Sequence, residues 1–240
     1  MGLVQGNFDP VWDPVFERMP ARELLVYLIA LISLACGIGL LWNRTAAVAA
    51  RLLLMSQLAW LLFLRVPGIF ISPVVDYWWA TCMTAVMVAS SWVLYVWFAD
   101  DWDKRHLGFA SGDRGLRIAR SLYGLALIPF GISHFLYLKH TAELVPGWLP
   151  WHVGWAYFTG WAFITAGVAM LVGVWARLAA ALSALEIGIF LLLVWVPIVA
   201  AGSKDAFQWS ETIVSWALLA GAWVVADSYR GMSWFAVRKL

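Results

Sequence analysis

The sequence predicts an all-α polytopic membrane protein of about seven transmembrane helices. A four-helix bundle follows a related three-helix repeat in parallel orientation. Three observations predict this. Of 240 residues, 63% are hydrophobic and only 12% are charged, more apolar surface than a soluble domain of this length can hide. The apolar residues fall in runs of about 20, the length that crosses a hydrocarbon core at about 1.5 Å per residue. Lipid-facing backbone must satisfy its own hydrogen bonds, and no run alternates as a barrel strand does, so each run is a helix. The 18 Trp suit the membrane–water interface.

In chain order, spans are expected at residues 23–42, 47–66, 77–99, 118–138, 153–173, 178–200 and 210–228. Residues 1–22 read as an extracytoplasmic segment. They carry Asp9, Asp13 and Glu17 and lack the cationic start of a secretory signal. Residues 23–99 form the three-helix first repeat and 100–117 a cytoplasmic linker. Residues 118–228 form the four-helix repeat and 229–240 a cytoplasmic tail. Lys104, Arg105, Arg114, Arg117 and Arg120 of the linker region share one side with Arg44, Arg51, Arg177, Arg230, Arg238 and Lys239. The positive-inside rule makes that side cytoplasmic and places the N-terminus outside.

A displacement of 130 residues aligns the first three spans with the last three. Pro20 meets Pro150, Gly37 meets Gly167, Ala46 meets Ala176 and Leu52 meets Leu182. Val66–Pro67 meets Val196–Pro197, and Trp79 meets Trp209. The repeats run in the same direction, so they are parallel rather than inverted.

Several functions are excluded. A net charge of +2 argues against a nucleic-acid partner. Cys36 and Cys82 lie apart inside apolar runs and suggest neither a metal site nor thiol exchange. No metal-ligand cluster, Ser–His–Asp arrangement, phosphate loop or dinucleotide motif is present. His134, His140 and His152 do not suit a haem pair, because only His134 lies within a span.

Polar chemistry gathers at residues 128–151, IPFGISHFLYLKHTAELVPGWLPW. A greasy run acquires His134, Tyr137, Lys139, His140 and Glu143, then breaks at Pro146 and Pro150 among Trp148, Trp151 and Trp155. Such a segment ends a helix at a membrane surface. His134 lies about one turn deeper, where an ionisable group is expensive without a partner. The last loop, KDAFQWSE, brings Gln208, Trp209 and Glu211 to the same side. In the first repeat Trp79 keeps the tryptophan, but Thr81 stands where Glu211 does. His134 is therefore expected to face the bundle interior within reach of Glu211 or Gln208, with Trp148, Trp151 and Trp209 as a roof. A His–carboxylate pair among aromatic walls suits a polar headgroup or a quinone. Glu186, in ALSALEIGIFLLL, is the other intramembrane charge and is expected to mark a proton or ion path. Ser56 stands in its place in the first repeat. Arg65 is expected to snorkel to the interface.

The stretch RIARSLYGLALIPFGISHFLYLKHTAELVPGWLPW, followed by AGVAMLVGVWARLAA, resembles the DoxX-like family of small bacterial membrane proteins. Gly124, Gly131, His134, the VPxWLPW turn and the small-residue span ending near Arg177 carry the resemblance, over residues 117–228. It implies a four-helix bundle in the bacterial inner membrane. Some members of that family are linked to sulfur-compound oxidation with quinone and others to membrane oxidoreductase complexes, so the resemblance implies quinone as a candidate cofactor and oxidoreductase subunits as candidate partners. Three further helices depart from that pattern. Two other readings are a small-molecule, ion or proton transporter with a path near Glu186, and a non-catalytic membrane scaffold whose partners are other membrane subunits.

Overall fold

The computed structural model describes residues 21–71 and 75–237. Residues 1–20 of the expected N-terminal segment, 1–22, lie outside the described residues, as do Arg238 and Lys239 of the tail. All described helices and spans fall into two compact units, divided between Ala119 and Arg120.

In the first unit, α1 (Arg22–Gly39) starts from Ala21, held in the left-handed region at φ 56. The turn to α2 (Asn43–Trp60) is closed by Thr45, whose Oγ1 donates to the Gly39 carbonyl at 2.6 Å. The wide-turn segment π1 (Leu61–Arg65) continues α2 into α3 (Val66–Ile71). The cause is Pro67, which has no N–H to give and crowds the carbonyl of the preceding turn. A shift to wider hydrogen bonding just before it relieves that crowding. Returning along α2 is α4 (Val75–Phe98). Ala46, Ala49 and Ala50 are buried on α2, and such small residues let a membrane helix approach closely. A short helix, α5 (Asp101–His106), follows with Asp100 as its cap.

The unit boundary falls within α6 (Gly112–Leu136). The second unit continues with α7 (Leu138–Glu143), α8 (His152–Val172) and α9 (Ala176–Phe190). Then come π2 (Leu191–Trp195), α10 (Val196–Ala200) and α11 (Ala206–Asp227). Pro197 again stands two residues after the end of a wide-turn segment. Both α8 and α11 pack on α9. The described tail folds back on the α8–α9 turn. Trp175 N–H donates to the Ala236 carbonyl at 2.9 Å, Arg177 donates to the Met232 carbonyl at 2.6 Å, and Arg177 lies over the Trp234 ring at 4.1 Å.

Five helical stretches are long and apolar enough to cross a membrane: Asn43–Phe70, Tyr77–Phe98, His152–Val172, Ala176–Ala200 and Ala206–Asp227. A shorter apolar helix, Leu24–Gly39, stands where the first span is expected. By helix length and hydropathy this is a multi-pass membrane protein. The fourth expected span is a helix of 25 residues, α6, but it is not among the five. Its apolar run is diluted by Arg117, Arg120, Ser121, Ser133 and His134.

Candidate functional site

The His134 site is built by glycines. On α6, Gly124 and Gly131 face Gly167 and Gly160 of α8. A β-carbon at Gly131 would lie 2.4 Å from the Gly160 carbonyl oxygen, and one at Gly167 would lie 2.5 Å from that of Gly124. The two pairs share a spacing of two helical turns, so the backbones touch along a seam. The pairs run antiparallel, so His134 and Phe163 step away from the Gly131–Gly160 contact in opposite directions, and their side chains, leaning back toward their own helix N-termini, meet across it. Their ring centroids are 5.6 Å apart, and Phe130 meets His134 edge-on at 5.8 Å. Phe130 and Phe163 are themselves 5.0 Å apart. His134 is only 7% exposed. Its Nδ1 lies 3.0 Å from the Phe130 carbonyl, an acceptor. The proton of the neutral ring therefore sits on Nδ1, and Nε2 carries the lone pair.

The rest of the predicted cluster is spread over the end of the unit. Tyr137 interrupts the helix between α6 and α7. His140 and Glu143 are exposed on α7. An open groove of about 410 Å³ is lined by Leu138, Lys139, Ala142, Glu143, His152 and Val153. Trp148 and Trp151 are 71% and 85% exposed. Rings so exposed do not roof a buried histidine. Trp151 also caps α8 from the left-handed region, at φ 60. Trp209 is bound to its own loop, its Nε1 donating to the Ser203 carbonyl at 2.9 Å. Gln208 Oε1 accepts from Ser203 Oγ. Glu211 is half-buried near the start of α11. Leu144 packs on the buried Leu191, Val194 and Trp195, tying the loop after α7 to the wide-turn segment of α9.

Glu186 lies on the opposite side of the seam's chemistry, toward the arginine-bearing end. It is half-buried on α9, one turn beyond Ser183, whose Oγ is 3.0 Å from the Tyr123 hydroxyl.

Two groups in the first unit escape a reading of the sequence. Arg65 is fully buried in π1 rather than snorkelling to an interface. The signal was Val66–Pro67, which marks a helix under strain just after it. Asp103 is also fully buried. It accepts from Arg51 at 2.8 Å, from the Tyr95 hydroxyl at 3.1 Å and from the Asp100 N–H at 3.1 Å. Asp100 returns a bond to the Asp103 N–H at 2.9 Å, completing a reciprocal cap. That bond, ahead of the nearby Arg51, holds the Asp100 carboxyl below the usual carboxylate range against the opposing effect of burial. At the end of α11, burial pushes the Tyr229 hydroxyl up to about 12, although the Arg120 guanidinium 4.1 Å from its ring pulls the other way.

No group of three or more potential metal ligands occurs among the described residues. Comparison with protein families, with curated proteins and with solved structures finds no match.

Proposed function

We propose that this chain is a DoxX-like protein of the bacterial inner membrane whose second unit binds a quinone-class headgroup beside His134, in support of a membrane redox process. The single observation that carries the reading is the buried imidazole against two phenyl rings with its Nδ1 proton already committed. Flat aromatic walls suit a flat ring, and a buried imidazole among them suits a polar ring substituent. Glu211 and Gln208 are assigned to the headgroup's remaining polar atoms. Leu144, packed on the cluster of Leu191, Val194 and Trp195, supports this by drawing the loop after α7 toward the elements that lead to α11.

All seven helices cross in this reading, and the two units are parallel repeats. The register of the structure supports the duplication. The wide-turn segments Leu61–Arg65 and Leu191–Trp195 stand 130 residues apart. So do the left-handed residues Ala21 and Trp151 that start α1 and α8. Buried Ala46, Ala49, Ala50, Leu54 and Gln57 correspond by the same displacement to buried Ala176, Ala179, Ala180, Ala184 and Ile187. The first repeat keeps the scaffold and lacks counterparts of His134 and Glu211.

Binding of a short-chain quinone analogue to the purified full-length chain tests the site. His134→Ala is expected to weaken binding at least about tenfold, equivalent to about 1.4 kcal/mol, with helicity retained. Glu211→Gln is expected to weaken it less. Unchanged affinity in a folded His134→Ala variant removes the quinone site.

A further inference from the structure

Glu186 takes no part in the site beside His134. It stands three residues past Ser183 on α9, hence about 4.5 Å farther from the arginine-bearing end. Ser183 is 1% exposed and donates to the Ala180 carbonyl at 2.9 Å. The hydroxyl of Tyr123 is therefore the donor in the 3.0 Å bond between the two. That pairing engages Tyr123 and Ser183 with each other and does not include Glu186. Glu186 Oε1 is enclosed and has no hydrogen-bond partner among the described residues. On the other flank, Leu182, Leu185 and Ile189 are 51%, 55% and 47% exposed, the stripe that meets lipid in a membrane.

The surrounding elements offer no compensating charge at this level. Beyond His152 at its start, α8 carries no ionisable group other than Tyr157, one turn farther on. On α11, Glu211 lies near the start and Asp227 at the end, while the middle, where Leu219 neighbours Gly188, is apolar. On α6, His134 is in the last turn. Arg117 and Arg120 lie toward the first turns, with Arg120 donating to Ser228 Oγ at 3.0 Å. An anionic carboxylate with a dry, unpartnered oxygen beside lipid is far costlier than a neutral carboxyl in the same place. A purely structural carboxyl is expected to hold a hydrogen-bond partner.

We infer that Glu186 is a reversible proton-binding site in the membrane interior, taking up a proton on its carboxylate to form the neutral acid and releasing it again. The function implied is proton uptake within the second unit, independent of any ligand beside His134.

The test uses the full-length chain in liposomes. An infrared difference between wild type and Glu186→Gln is expected to contain a carboxylic-acid carbonyl band at neutral pH that shifts on transfer to D₂O. A lipophilic carbodiimide, dicyclohexylcarbodiimide, is expected to form an adduct at Glu186 that peptide mass mapping locates and that Glu186→Gln lacks. A carboxylate band in place of the acid band overturns the inference, as does an acid band that does not exchange in D₂O. Absence of the adduct at Glu186 in a sample whose Glu143 is labelled overturns lipid access. The His134→Ala variant is expected to keep both signals, which separates this site from the quinone site.

Discussion

At Gly131 a single hydrogen atom sets the distance between two helices. A methyl group there would press on the Gly160 carbonyl oxygen at 2.4 Å and on Ile164 Cγ1 at 2.8 Å. The first is backbone and cannot rotate away, so α6 and α8 must part. Gly131→Ala is expected to destabilise the second unit by about 1–3 kcal/mol. Gly147, where an added methyl would meet nothing within 4 Å, is the control, and Gly147→Ala is expected to stay within about 0.5 kcal/mol. Reversible unfolding in mixed micelles measures both. The same parting moves His134 off Phe163, so Gly131→Ala is also expected to weaken quinone-analogue binding while leaving the imidazole in place.

Among elements, α5 and the strap after it are held down rather than strung between units. Arg51 of α2 reaches Asp103 at 2.8 Å and Asp100 at 3.1 Å, and Trp92 of α4 donates to the Ala110 carbonyl at 2.9 Å. Removing Asp103 strips Tyr95 and Arg51 of a buried acceptor, which costs about 1–3 kcal/mol. Asp103→Ala is expected to speed tryptic cutting at Lys104 and Arg105 about tenfold or more, since cleavage follows the open population. Equal cutting of variant and wild type would mean that the clasp holds nothing. The clasp is also expected to loosen in acid. The Asp100 carboxyl is held below its ordinary range, so its contribution is complete above the unfolded value of about 4 and disappears as pH falls through the lowered one. Amide exchange at Asp103 followed from neutral pH into acid reads this directly.

For the molecule as a whole, the proposed orientation rests on where the basic residues lie. His106 and Lys204 are both exposed, and they stand on opposite sides of the membrane if the N-terminus is outside. In a background with Cys36 and Cys82 replaced by Ala, Lys204→Cys is expected to react with an impermeant maleimide added to intact cells. His106→Cys is expected to react only after permeabilisation. The opposite pattern inverts the topology and puts His134 at the cytoplasmic face.

Length and hydropathy add up along the chain, so the sequence alone determined the helical class and five of the seven expected spans, whereas the first is a shorter apolar helix, Leu24–Gly39, and the fourth is not among the long apolar ones. It also marked His134, because an ionisable group is conspicuous in an apolar run, while Gly124 and Gly131 were marked by the family resemblance alone. It did not say which glycine would meet which. It placed Arg65 at an interface and Asp103 in a linker, whereas both are fully buried. It assigned Trp148 and Trp151 to a roof, whereas both face outward. These outcomes were decided only by the tertiary structure. The physical reason is that transfer energy belongs to a residue and its near neighbours, while a hydrogen bond needs its partner within about 3 Å. The partner of Asp103 is Arg51, three helices earlier on α2, and the ring against His134 is Phe163, across the glycine seam. Only the packed helices bring them there.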